Sequence, residues 1–132
     1  MRASRTLFPQ RFSFYPHLSQ DGRERLTRIR VARVRAREKL LAPGQDAGGA
    51  FFVTTGRLRV YYLTEAGREA TLYHVGAGQA CVLSLAMTFE NAPFPAWAEA
   101  GPLGASLVRL PGSDVSSLLE TEPAFRAFVF SS

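Results

Sequence analysis

Over residues 57–63 apolar and polar positions alternate, with Leu58, Val60 and Tyr62 on one side and Arg57, Arg59 and Tyr61 on the other. A period of two marks a strand with one dry and one wet face. Before it, Ala50-Phe51-Phe52-Val53-Thr54 is a short apolar run that reads as a separate strand stopping at Gly56. After it, Glu65-Ala66-Gly67 turns the chain into a strand over 68–75, a hairpin in which glycine supplies the positive φ of a tight reversal. Residues 31–37 also alternate, and lead through Leu40 and Leu41 to a Pro43-Gly44 turn. Two further strands are predicted over 96–100 and 105–110, each bordered by glycine or proline. Many short strands at close spacing predict a mainly β fold, a barrel or jelly roll.

The pattern turns helical at both ends. Residues 7–17 hold Phe8, Phe12, Phe14 and Tyr15 around two prolines, too aromatic for a free tail and too broken for a regular element, and read as a strap on the domain. Ser19 is placed to cap a helix running to Ile29, with Asp21 and Glu24 near its start and Arg25 and Arg28 towards its end. Near the C-terminus, Ser113 is expected to cap a helix with Val115, Leu118 and Leu119 on one face. Thr121-Glu122-Pro123 then opens another with Phe125, Phe128 and Val129 at helical spacing. That aromatic stripe has little left in the chain to cover it, so it is the predicted self-association surface. The organisation expected is one domain over 1–132: strap 1–18, helix 19–29, β-roll 30–111 and C-terminal helices 113–130.

At 132 residues and 46% hydrophobic the chain can close one core. Its single cysteine, Cys81, excludes an internal disulfide, and no apolar run resembles a signal peptide or spans a bilayer. A cytoplasmic protein without membrane contact is expected. The net charge of +5 raises the question of nucleic acid, since clustered cations gain affinity by releasing counterions from phosphates. Yet the densest run, from Arg23 to Lys39, is interleaved with Ile29, Val31, Val34 and Ala36, which reads as a solvated face over a dry one. A nucleic-acid or protein adaptor using this Arg-rich strand is the alternative. Catalysis is not expected: a metal site of the cupin type needs several converging histidines, and the chain has His17 and His74, far apart. His74 reads as an ordinary strand residue. Neither a Ser-His-Asp grouping nor a glycine-rich phosphate loop is visible.

Several strings, in order, resemble the sensory domain of the bacterial Crp/Fnr transcription regulators. They are Leu41-Ala42-Pro43-Gly44-Gln45, the run from Phe51 to Val60, Gly67-Arg68-Glu69-Ala70, Gly76-Ala77-Gly78-Gln79, Ala96-Trp97-Ala98-Glu99-Ala100, and Leu118-Leu119 followed by Glu122-Pro123. No single string is diagnostic; the ordered set covers nearly the whole chain. The resemblance implies a double-stranded β-helix, a jelly-roll or cupin-like barrel with flanking short helices, and a ligand pocket between the barrel and a short helix. It also implies a non-catalytic, effector-sensing role in a homodimeric regulator. DNA would be bound through a helix-turn-helix lying beyond these residues, after a dimerisation helix.

In cyclic-nucleotide-binding members of that family a glycine and a glutamate open the short helix, and an arginine and a serine or threonine precede the next strand. The glutamate accepts from the ribose, while the arginine and the helix N-terminus hold the cyclic phosphate. Laid on this sequence, those positions hold Val82, Leu83, Phe94 and Pro95. An arginine–phosphate bond contributes roughly 1.5–3 kcal/mol, so cyclic AMP binding is not expected. The pocket predicted from the resemblance comprises Cys81, Val82, Leu83, Ser84, Phe94 and Pro95, with Trp97 at its margin or in the core. It would be open to an apolar effector or collapsed on its own side chains, with backbone N–H groups near Ser84 as a residual anion site. Cys81 reads as a buried inert thiol, with a thiol sensor and a haem ligand as alternatives. No metal is expected.

Overall fold

A computed structural model describes residues 12–132. Residues 1–11, with Phe8 and most of the predicted strap, lie outside the described residues. A single 3-10 turn, Tyr15–His17, leads to α1 (Gln20–Thr27), β1 (Ala32–Val34), β2 (Lys39–Leu41), β3 (Ala50–Leu63), β4 (Glu69–Gly76), α2 (Val82–Glu90), β5 (Trp97–Leu110), α3 (Gly112–Thr121) and α4 (Pro123–Ser131). All strand pairings are antiparallel, in the order β1-β5-β3-β4, with β2 also on β5. This is a mainly β, jelly-roll-like fold with short helices.

Two glycines read as strand ends are bends inside long strands. Gly56 lies within β3 and Gly104 within β5, at φ 70° and 80°. The β3–β5 register shifts between Val53 and Thr55 and between Gly56 and Leu58, so each strand curves without breaking. Four predicted strands are thus two strands of 14 residues. The predicted strand over 31–37 shrinks to Ala32–Val34, because Arg37 adopts a left-handed φ of 60° in a turn where Glu38 N donates to the Arg35 carbonyl.

Alternation along β3 and β5 feeds two separate cores. Phe51, Val53, Leu58, Val60 and Leu107 point into the barrel with Leu41, Val75, Cys81 and Phe94. Ala50, Phe52, Val108 and Leu110 face the helices and join Phe12, Phe14, Leu26, Val115, Leu118 and Phe125. Tyr61 departs from the simple pattern. It shares the outer face with Arg59 but is buried there, its ring stacked on Trp97 at 6.2 Å and covered by the Arg59 guanidinium at 4.0 Å. Tyr62, on the predicted dry side, is exposed.

The C-terminal stripe is a correction. Phe125 is fully buried, and Val129 nearly so, inside the protomer. Phe14 packs edge-on against Phe125 at 5.2 Å and against Phe128 at 4.9 Å, and Phe12 meets Phe128 at 6.0 Å. The strap therefore covers the stripe that the sequence left uncovered, and the apolar residue left in solvent on α4 is Phe130, 78% exposed. Ser113 is likewise not the cap of α3, which begins at Gly112 after Pro111.

Ser19 does cap α1, accepting from Gly22 N, and it is itself gripped from the other end of the chain. Its N–H and hydroxyl donate to Glu122 at 2.8 and 2.5 Å. Glu122 is buried at the α3–α4 junction. Burial pushes its carboxyl up, but the Ser19 hydroxyl, the Ser19 N–H and the Thr121 hydroxyl together outweigh that and hold it below the usual carboxylate range. A folded-state value below the unfolded one adds stability above the ordinary glutamate range and loses it as pH falls through the folded value. Glu122→Gln should therefore lower stability at neutral pH by about 2 kcal/mol and flatten its acid dependence, read by urea unfolding between neutral pH and the acid limb. Thr54, the extra residue at the Val53/Thr55 bulge, is buried with a partnerless hydroxyl. Thr54→Val should raise unfolding stability by about 1 kcal/mol in the same assay.

Candidate functional site

The chain reaches α2 through Gly76-Ala77-Gly78-Gln79, where Gly76 N donates to the Gln79 side chain and Gly78 N to the Val53 carbonyl. Cys81 then anchors the helix start: its N–H donates to the Phe51 carbonyl at 2.8 Å, and its carbonyl accepts from Leu85 N and the Ser84 hydroxyl. Ser84 Oγ also accepts from Phe51 N at 2.9 Å. The Ser84 hydroxyl is fully committed to holding α2 on β3.

The remaining polar contact at this helix start comes from β4. Tyr73 Oη accepts from Leu83 N at 3.0 Å and lies 3.3 Å from Cys81 Sγ. Burial, aided by the contact with Cys81, pushes the Tyr73 phenol up against the opposing pull of Leu83 N–H, so the ring carries a neutral hydroxyl. A first-turn N–H that would otherwise be an orphan donor has an internal partner. Of the groups expected to form a residual anion site near Ser84, the Leu83 N–H is taken by Tyr73 and the Ser84 hydroxyl by Phe51 N and the Cys81 carbonyl. Tyr73 was not among the sequence candidates. Its signal was its position two residues before Val75, on the barrel-facing side of β4.

Phe94 is the second plug. It is fully buried in the barrel core, and the backbone clamps it: Phe94 N donates to the Gln45 carbonyl and Gly44 N to the Phe94 carbonyl, both at 2.8 Å. The Pro43-Gly44 turn thus presses the 93–95 loop onto the barrel mouth. The six predicted pocket residues consequently separate. Cys81, Ser84 and Phe94 are buried, Leu83 is half-buried, and Val82 and Pro95 face solvent. Trp97 lies on the outer face against Tyr61, with Lys39 Nζ 5.7 Å from its ring. Beside the start of α2 a hollow of about 280 Å³ is lined by Tyr73, Gly78, Gln79, Val82 and Phe128, while Phe94 and Cys81 fill the barrel side.

The barrel interior holds no charged side chain among the described residues; Glu122, the buried carboxylate, belongs to the helical side. Haem does not fit. Cys81 is fully buried with its sulfur on the Tyr73 hydroxyl, and His74 is exposed on the outer face. His74 lines there a hollow of about 260 Å³ with Arg57, Arg59, Glu69 and Glu99. Arg59 bridges Glu69 and Glu99, and Tyr61 is pushed up to about 12 by burial and by Glu99. His17 sits in the exposed 3-10 turn. Among the described residues no three potential ligands converge on a metal position.

The family model for the cyclic nucleotide-binding domain matches residues 31–122. The chain belongs to the cyclic nucleotide-binding domain family. The fold of this domain is similar to that of a crp/fnr-family transcriptional regulator from Eubacterium rectale, with a TM-score of 0.77 and 20% identity over 92% of this chain and 56% of that one. It is also similar to DNR from Pseudomonas aeruginosa (TM-score 0.74, 19% identity, 99% and 58% of the chains). The catabolite activator protein of Thermus thermophilus gives a TM-score of 0.69 at 17% identity, over 86% of this chain and 52% of that one. The chain spans a little over half the length of these neighbours. No curated protein matches the sequence. No helix among the described residues is long and apolar enough to cross a membrane.

Within this cyclic nucleotide-binding domain the two plugs differ in weight. Truncating Phe94 to alanine should destabilise by about 3–5 kcal/mol, because it empties a ring-sized volume in a rigid wall. Tyr73→Phe removes the hydrogen bonds with Leu83 N and Cys81 Sγ but no ring volume, and should lower stability by only about 1–2 kcal/mol, so urea midpoints of the two variants should separate clearly.

Proposed function

We propose that this domain is the non-catalytic sensory part of a Crp/Fnr-type transcription regulator and that its pocket does not take cyclic nucleotides. Family membership and the regulators that share the fold support the first half. In this reading DNA is contacted through a separate helix-turn-helix segment and the full regulator is a homodimer. The second half is supported by one feature of the barrel: the Phe94 ring is fully buried in an apolar core, and the Tyr73 hydroxyl accepts from the Leu83 N–H at the start of α2.

A ribose cyclic phosphate entering here would lose its water without finding a cation, and an unpaired buried charge is among the most unfavourable arrangements in a protein. The walls behind Phe94 are Leu41, Phe51, Val53 and Leu58, all apolar. An effector that displaces the ring is apolar by the same reasoning. The full burial of Cys81 supports a packing role for its thiol rather than a sensing one.

Thermal melting provides the test. At about 1 mM cyclic AMP or cyclic GMP, a site with a Kd near 10 µM would add about 2.7 kcal/mol and raise Tm by about 10 °C. No shift is expected with either nucleotide. A saturable rise in Tm with cyclic AMP would overturn the proposal.

A further inference from the structure

The outer edge of the sheet carries a feature that the pocket does not use. Arg28 and Arg30 follow α1, Arg33 lies in β1, Arg35 and Arg37 form the turn after it, and Arg109 comes from β5. All six are exposed. None makes an ion pair among the described residues, where the ion-paired arginines are Arg25 and Arg59. Glu38 is the one carboxylate lining the two hollows that Arg28, Arg30, Arg33, Arg35 and Arg109 border, and its Oε1 already accepts from Arg35 N at 3.0 Å; Arg37 lines the neighbouring hollow with Glu69 and Glu99. Exposed arginines gathered from three segments without neutralising partners hold a positive potential that an anionic partner would relieve.

The shape of this face restricts the partner. Two broad hollows of about 700 and 400 Å³ adjoin here, sharing Arg33, Val34 and Glu38. No aromatic side chain lines either, so unpaired bases would find no ring on which to stack. An acidic peptide adding to the sheet edge is disfavoured by the backbone. β1 spans three residues, and the N–H groups of Arg35, Arg37 and Glu38 are already given to Glu38, Gly101 and Arg35. Phosphates need no main-chain pairing, and a planar guanidinium matches them with two parallel donors.

We propose that this arginine face binds the phosphate backbone of duplex DNA without regard to sequence. The site is separate from the barrel interior and stands or falls independently of what the pocket accepts. It goes beyond the alternating strand, since Arg28 and Arg109 join it only in the folded chain.

The test is fluorescence anisotropy of the 132-residue chain on a labelled random-sequence duplex. Micromolar binding is expected at about 50 mM salt, falling several hundredfold at about 200 mM if roughly five phosphates are neutralised. Arg30→Glu, Arg33→Glu and Arg35→Glu should each weaken binding at least about fivefold and reduce the salt slope by about one or more, with unchanged circular dichroism. Arg68→Glu, at the β3–β4 turn, should stay within about twofold of the parent. Absence of binding at low salt would overturn the proposal, as would equal losses for Arg68→Glu. Poly-glutamate bound as tightly as DNA of equal charge would also overturn it, and would make the face an acidic-protein surface.

Discussion

The fold depends on three backbones meeting at closer range than side chains permit. At the bend of β3, a Cβ on Gly56 would lie 2.3 Å from the Gly104 carbonyl of β5. A Cβ on Gly104 would lie 2.7 Å from the Val34 carbonyl of β1. Both glycines also hold a positive φ. Contact and conformation together exclude any other residue without a shift of main chain. Because β5 pairs with β1 and β2 along one side and β3 along the other, this crossing sets where the sheet curves and hence which residues face the barrel.

Once curvature is fixed, the mouth of the barrel becomes a packing problem. The Pro43-Gly44 turn and the 93–95 loop are tied by two backbone bonds through Phe94. A polar residue at that position would be carried into the apolar cluster by the same bonds, so the loop geometry and the ring are mutually required. The start of α2 is settled similarly: Ser84 and Cys81 bond to Phe51, and Tyr73 reaches across from β4 to complete the turn. The Cys81 N–H and carbonyl, the Leu83 N–H and the Ser84 hydroxyl all have partners in this chain.

How much of this was legible in the sequence follows from the range of each interaction. The hairpin turn at Gly67, the cap at Ser19 and the second C-terminal helix behind Pro123 are local devices, and pattern and turn chemistry locate them. The order of strings was enough for the family. What escaped is non-local. Gly56 and Gly104 read as stops because a strand passing through a positive-φ bend has no distinct one-dimensional signature. Phe125 and Phe128 looked uncovered because Phe12 and Phe14, more than a hundred positions earlier, cover them. Tyr73 drew no reading at all, because its partner Leu83 lies on α2, across from β4.

Fold and ligand chemistry separate in this molecule because different residues carry them. The barrel is specified by backbone crossings, two glycines and an alternation spread over β3 and β5. Recognition of a cyclic nucleotide in the resembling family rests on a handful of side chains at the start of one helix and the end of one loop. Whatever side chains stand there, a folded barrel of this kind needs its first-turn N–H groups partnered and its interior filled. Tyr73 and Phe94 answer those two demands, one polar and one steric.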